Sequence, residues 1–343
     1  MRSAKPYVAA RRFATRARRL ATTSCRDAAM TERVLITGGL GFIGAATARE
    51  LLARGHEVVL TRHRATVPAR DLTAANAAAP PRVLDLDLAQ PLPVIDAVAD
   101  IKPTAIIHLA TAGFRGSLIG ELSTNVGGAA NVLEAALRSG APRVVMASSI
   151  AVYAGLDHAP YHEDDPLPVS ASANLPAVTK RVEELLALQW AAKSGLDVRI
   201  ARIPMVYGPG YRSGFNLPSR VVRALIDGGP IEGPVEMPFD DLCYVDDVAG
   251  ALAELVSAVD LRSRIFNLSS GGPTTSQEIA DVARAHGADQ QLVAAIAAGG
   301  RPDADRLMDP GRTRSEVGWT SRIPYTEGFA RYLAWTQTQT EAQ

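Results

Sequence analysis

The sequence predicts an α/β fold, a doubly wound parallel sheet with a smaller C-terminal lobe, and three observations predict it. Short β-branched runs alternate with longer helical stretches from Arg33 onward, the strand runs are apolar almost throughout, and a glycine-rich turn joins the first strand to the first helix. Such alternation means βαβ units, and strands without a polar face are those that helices cover on both sides.

The elements follow in order. Strands are expected at VLIT (34–37), EVVL (57–60), AIIHLA (105–110), RVVMASS (143–149) and DVRIARI (197–203), with helices over 44–54, 122–138 and 177–194. Residues 30–203 thus read as a core of Rossmann type. After about residue 204 the turn-rich pieces YGPG (207–210), DGGP (227–230) and SGGP (270–273) interrupt shorter helices, so 204–343 reads mainly as a substrate-binding lobe with some segments returning to the core. The Ala-rich stretch 74–79 reads as a surface helix or loop.

Bulk properties narrow the partners. Basic and acidic residues balance at 36 each in 343 residues, which gives no global field for nucleic acid or an anionic membrane. Eight of the basic residues and, among the acidic ones, only Asp27 fall in 1–29, leaving the remainder mildly acidic. This leader reads in three ways: a transit-like peptide, a nucleic-acid arm, or translated sequence upstream of a start at Met30. All three keep it outside the fold. Cys25 and Cys243 are the only cysteines and lack metal-ligand spacing, so neither a disulfide framework nor a metal site is expected, and a reducing, cytoplasmic setting is. No apolar run approaches the ~20 residues that span a bilayer.

The glycine turn carries the first chemistry. In VLITGGLGFIGAATARELL, Gly38, Gly41 and Gly44 lie between strand and helix, where a tight turn, close approach to a pyrophosphate and close helix packing each require a missing side chain. Phe42, Ile43 and Gly44 would present their backbone N–H groups to the anion at the helix start. A free ribose 2′-hydroxyl would call for Asp or Glu at the end of the second strand; this chain has Thr61, Arg62, His63 and Arg64. Arg62 and Arg64 can pair with a 2′-phosphate, which favours NADP over NAD, unless they form only a solvated basic loop.

The TGxxGxxG spacing, HLAT (108–111), NVGGAANVLEAA (125–136), SSIAVY (148–153), VYGPG (206–210) and YVDDVAGAL (244–252) occur in this order, and the chain resembles the extended short-chain dehydrogenase/reductases, in their sugar-nucleotide epimerase/dehydratase branch. The resemblance runs from about 33 to 335. It implies that Asp87 and Leu88 contact adenine, that Ala110 and Thr111 line the cofactor trough, that Ser149 hydrogen-bonds the reacting oxygen, and that Lys180 holds the nicotinamide ribose. It further implies a small-molecule substrate, met by Ser149, Tyr211 and a phosphate-binding Arg301, and a homodimer formed through the helices at 122–138 and 177–194. Arg312 and Arg314 fall in the same tail stretch. Asp240 reverses the charge of the family's arginine, and Asp246 with Asp247 reads as the cap of the next helix.

One residue breaks the pattern. The family's acid/base tyrosine stands four residues before the lysine, and here that position is Pro176. Proline suits a first helical turn, so the helix is expected to survive while the proton-transfer group is lost. Substitutes by type are Tyr153, Tyr161, His162, Glu163, Tyr207 and Tyr211; Tyr153, four residues after Ser149, is the best placed of these for the catalytic role. Three readings stay open: an atypical NADP-dependent epimerase, dehydratase or reductase; a non-redox cyclase, isomerase or lyase on the same fold; and a cofactor-sensing protein without turnover.

Overall fold

The computed structural model describes residues 31–63, 80–112, 117–141, 143–169, 175–300 and 306–341. The leader, Arg64, the 74–79 stretch and Arg301 lie outside the described residues.

The first half alternates strands and helices as the sequence predicts, with a further strand at 82–85 and a further helix at 91–101 that were not among the expected elements. It runs β1 (Arg33–Thr37), α1 (Phe42–Ala53), β2 (Glu57–Arg62), β3 (Arg82–Asp85), α2 (Pro91–Ile101), β4 (Ala105–His108), α3 (Leu118–Leu122), α4 (Gly128–Ser139), β5 (Arg143–Ser149), α5 (Leu175–Ser194) and β6 (Asp197–Ile203). The second half adds β7 (Met205–Tyr207), α6 (Leu217–Asp227), β8 (Leu242–Tyr244), α7 (Val245–Ser257), β9 (Ile265–Asn267), α8 (Ser276–Ala285), α9 (Gln290–Ala298) and α10 (Tyr325–Glu341). The main sheet has the order β3-β2-β1-β4-β5-β6-β9, parallel at every pairing, and is doubly wound. Its order reverses between β1 and β4, the place where such sheets bind ligands beyond their strand ends.

Period-two alternation divides the strand side chains between two cores. Val34 and Ile36 of β1, Val58 and Leu60 of β2 and Ile107 of β4 pack with α1 and α7, whereas Leu35, Val59 and Ile106 pack with α2, α4 and α5. Two elements beyond residue 204 join this core: β9 extends the sheet beside β6, and α7 supplies Val248, Leu252 and Leu255 to the α1 side. A separate apolar cluster gathers residues of α6, α8, α9 and α10 with Tyr207 and Tyr244 of the small β7-β8 sheet.

The structure corrects four element readings. β4 stops at His108, and α1 starts two residues early, at Phe42. The helix expected over 122–138 is interrupted by a π-turn at Ser123–Gly127 between α3 and α4. α7 begins at Val245 without a side-chain cap; the Asp247 carboxylate instead accepts from Ser321 Oγ at 2.7 Å and from the Arg322 and Ile323 N–H groups at 2.9 Å. Its role is structural, but it ties down the segment before α10.

Candidate functional site

The turn between β1 and α1 is closed by contacts that exclude side chains. Gly38 has φ +67°, and a Cβ on it would lie 2.8 Å from the backbone N and Cα of Ala110, just beyond β4. A Cβ on Gly44 would strike the Gly38 carbonyl oxygen, and one on Gly41 would come within 3.1 Å of the same atom. The Gly41 N–H donates to Gly38 O at 2.9 Å, which turns the chain into α1. Gly41 is the N-cap and has no side chain to satisfy the next N–H groups, so those of Phe42, Ile43 and Gly44 are presented at the helix start for an anion. A cradle that a Cβ would fill fits the pyrophosphate of a dinucleotide.

Of the other predicted residues, Ala110 and Tyr211 touch this turn. The Phe42 ring meets Tyr211 edge-on, with centroids 5.1 Å apart, so the loop after β7 reaches the start of α1. Tyr211 is half-buried, and its carbonyl accepts from Tyr332 Oη at 2.8 Å. Arg62 ends β2 in a forked pair with Asp85 of β3, at 2.6 and 3.2 Å. Asp87 is half-buried and turns its carboxylate onto the Ala89 N–H at 3.0 Å. Leu88 is buried in the core, and its carbonyl accepts from Asn131 Nδ2 at 2.8 Å. Ala110 is half-buried, whereas Thr111 is exposed and its hydroxyl lies 3.3 Å from Asn125 Oδ1.

Ser149 ends β5 half-buried, and its Oγ accepts from the Ala151 N–H at 3.2 Å, capping a short 3-10 turn at Ile150–Tyr153. Pro176 occupies the first turn of α5, where it leaves the helix intact, as the sequence predicts. One turn on, Lys180 donates to Glu183 at 2.7 Å. Its charge is felt by His108 at the end of β4, and His108 Nδ1 shares a 2.7 Å hydrogen bond with Thr37 Oγ1 at the end of β1. Burial is the first cause, and the nearby lysine the second, of a His108 pKa pushed down to about 3.

The structure removes Tyr153 from the catalytic set. It is fully buried, stacked on Tyr161 at 4.9 Å, and its hydroxyl donates to Asn267 Oδ1 at 2.8 Å and accepts from Arg202 at 2.7 Å. Burial pushes the phenol up to about 12, against the opposing effect of Arg202. It has neither access to a substrate nor a proton to release near neutral pH. Tyr161, Glu163 and Tyr207 are also buried, while His162 is exposed. Glu163 Oε1 accepts the Asn267 N–H at 3.0 Å and its second oxygen lies 3.7 Å from Arg312, which also pairs with Asp164. The Asp240 carboxylate is buried and accepts the Arg306 N–H at 3.0 Å, so its reversed charge serves the chain itself.

Sequence reasoning missed four residues: Thr37, His108, Asn125 and Glu183. Asn125, within the π-turn, accepts the Ala112 N–H at 2.6 Å, while its own amide nitrogen is buried without a partner among the described residues. Polar residues inside apolar stretches, such as His108 in AIIHLA, were the available signal. Among the described residues no cluster of three metal-ligating side chains occurs, and no helix is long and apolar enough to cross a membrane.

A parallel sheet reversing at β1 and β4, with a glycine cradle at that reversal, defines a nucleotide-binding α/β protein. Residues 34–269 match the sequence model of the NAD dependent epimerase/dehydratase family, and the chain belongs to that family, an enzyme of the epimerase/dehydratase class. It is 30% identical over 321 residues to a dTDP-glucose 4,6-dehydratase of Streptomyces griseus, covering 89% of this chain and 94% of that protein. It is 31% identical over 274 residues to a UDP-N-acetyl-alpha-D-glucosaminuronate decarboxylase of Bacillus cytotoxicus, covering 73% and 79%. The solved structure of MoeE5 in complex with UDP-glucuronic acid and NAD matches with a TM-score of 0.70 at 30% identity, covering 90% of this chain and 99% of that one.

Proposed function

We propose that this chain binds a nicotinamide dinucleotide and acts on a sugar nucleotide or a related polyhydroxylated intermediate, by epimerisation, dehydration or reduction, with proton handling that departs from its family because proline stands at 176. The observation that carries the reading is the cradle at Gly38, Gly41 and Gly44, closed against Ala110 and too tight for any side chain. Gly41 to Gly44 would hold the pyrophosphate by backbone N–H groups, Asp87 and Leu88 would border the adenine, and Ala110, Thr111 and Lys180 would line the nicotinamide end. When bound, the nicotinamide accepts or returns hydride. Ser149 would polarise the reacting oxygen. Tyr211, anchored beside Phe42, is on the proposed substrate side, and Arg301, outside the described residues, is the residue expected to meet a substrate phosphate.

The finer preference is for NADP. No acidic side chain ends β2, and although Arg62 gives its Nε and one terminal nitrogen to Asp85, it is 37% exposed and can turn toward a 2′-phosphate. The solved structure of MoeE5 in complex with NAD sets the opposing expectation, and Asp85 is the residue that would favour a free ribose.

A homodimer is part of the same proposal. Val178, Val182 and Leu185 form an exposed apolar stripe at helical spacing on α5, and Ile119 on α3 is 78% exposed. Sedimentation of the unaltered chain and of Leu185→Glu tests it: a dimer that dissociates supports the stripe, and a monomeric unaltered chain rejects it.

The function is tested by incubating the protein with UDP- and dTDP-linked hexoses and uronic acids, with and without each dinucleotide, and identifying products by mass and NMR. Dinucleotide-dependent conversion supports the reading. Conversion without any dinucleotide would favour the non-redox alternative, which Pro176 keeps in view, and dinucleotide binding without conversion would favour a sensor.

A further inference from the structure

The lysine that follows Pro176 has an unusual partner. Glu183 comes three residues after Lys180 and seven after Pro176, so at 3.6 residues per turn all three lie along one face of α5. The Lys180 ammonium donates to Glu183 Oε2 at 2.7 Å, and the two side chains are only 12% and 3% exposed. The second oxygen, Oε1, is buried with no hydrogen-bond partner among the described residues. Burying such a pair costs desolvation that an apolar pair would avoid, and an unfilled carboxylate oxygen adds to that cost. Such a pair therefore adds little net stability over an apolar one of similar size.

The groups around it have other commitments. Glu184, next on α5, is held by Arg202 from β6 and by Ser148 from β5. Arg181 donates to the carbonyls of Val152, Ala154 and Pro168. His108 faces Lys180 from β4 and is held neutral by burial, so it stores no proton near neutral pH. Glu183 is the buried acid that can exchange one: burial raises its pKa, with Lys180 opposing and Glu184 adding to the rise.

We propose that Lys180 and Glu183 together form the proton-handling unit that replaces the phenol missing from position 176, with Lys180 Nζ exchanging the substrate hydroxyl proton and Glu183 Oε2 holding the balancing one. The inference rests on the dinucleotide-dependent reading above. In the oxidising direction Lys180 passes one N–H proton to Glu183 and becomes a neutral amine. The substrate O–H bond then breaks toward Nζ, the carbinol C–H bond breaks with its electron pair leaving as hydride to the nicotinamide, and the C=O bond forms. One proton ends on Glu183 and one hydride on the dinucleotide, so the step balances, and its reversal returns both. Glu183 touches Lys180 and not the substrate, which makes it a positioning residue. Position 176 is about one helical turn, ~5.4 Å, from Lys180, a span that the lysine side chain can cover.

The test uses the full chain, Glu183→Gln and Glu183→Asp. NAD+ and NADP+ are titrated by calorimetry in buffers of different ionisation enthalpy, which counts the protons exchanged on binding, and pH profiles of turnover are recorded on the sugar nucleotide that reacts. Glu183→Gln is expected to bind dinucleotide, to lose the proton exchange seen in the unaltered chain, and to lower kcat about 100-fold at nearly unchanged KM. Glu183→Asp is expected to restore part of the rate with a shifted pH profile. A Glu183→Gln protein with the proton count and pH profile of the unaltered chain would overturn the inference. Should that variant fail to fold, an unshifted profile in Glu183→Asp would overturn it as well. An unaltered chain that carries no co-purified nucleotide and binds neither dinucleotide overturns the underlying reading instead.

Discussion

Gly38 and Ala110 meet backbone to backbone: a methyl group on Gly38 would stand 2.8 Å from both the N and the Cα of Ala110, at a φ of +67°. This contact joins the first turn to the end of β4 and so fixes the floor of the cradle. Gly38→Ala is expected to lower stability by about 1–3 kcal/mol and to weaken dinucleotide binding at least tenfold. Gly55, at φ +84° with open space around it, is the control, because Gly55→Ala carries the conformational cost without the clash. Denaturant unfolding with calorimetric binding checks both; equal effects of the two substitutions on binding would mean that the contact with Ala110 does not shape the site.

Tyr153 belongs to a buried polar network. Its hydroxyl joins Asn267 to Arg202, which in turn pairs with Glu184 at 2.7 Å where both side chains are at most 6% exposed. Tyr153→Phe is expected to cost about 1–3 kcal/mol of stability and to leave kcat unchanged. Glu184→Gln, which strands a buried guanidinium, is expected to cost about 3–5 kcal/mol. A folded Tyr153→Phe protein without turnover would return that tyrosine to the catalytic set.

His108 links stability to pH. Above 6.5 the folded and unfolded chains both carry it neutral; below that, the unfolded chain takes up a proton that the folded chain refuses until about 3. Stability from this group is therefore lost as pH falls through that window, at up to about 1.4 kcal/mol per pH unit. Denaturant midpoints measured from neutral to mildly acidic pH should fall less steeply in His108→Gln than in the unaltered chain. Parallel curves would show that His108 is not the group responsible.

In the proposed reading, the Arg62–Asp85 pair at the ends of β2 and β3 decides between NADP and NAD. Arg62→Ser is expected to lower affinity for NADP about tenfold or more with little effect on NAD, as loss of a charge-assisted bond to a phosphate requires. Asp85→Ala, which frees the guanidinium, should move the preference toward NADP. Competitive binding of the two dinucleotides measures both, and an unchanged ratio in each variant would remove the β2 terminus from cofactor selection.

Much of the site was legible because it is local in sequence. The VLIT strand, the three glycines and the helix after them form one continuous segment, and each glycine meets the neighbour its spacing implies. Pro176 was legible for the same reason, as a residue whose helical position fixes what it can and cannot do. Tyr153 misled because its sequence distance from Ser149 says nothing about burial, which Arg202, Asn267 and Tyr161 decide from far along the chain. The π-turn at Ser123–Gly127 was hidden because 122–138 has the apolar spacing of one uninterrupted helix. Glu183 passed as a polar residue on a helix, since nothing in its neighbours announces that α5 turns it inward against the sheet.

In the proposed function, the Gly38–Gly44 turn holds a nicotinamide dinucleotide. Calorimetric titration of the purified full chain with NAD+, NADH, NADP+ and NADPH, with any co-purified nucleotide identified by mass, tests it most directly. Saturable one-to-one binding is predicted, tighter for the 2′-phosphorylated pair and weakened at least tenfold by Gly38→Ala. Absence of binding by all four, in a protein that unfolds cooperatively and carries no nucleotide, would mean that the turn does not hold a nicotinamide dinucleotide.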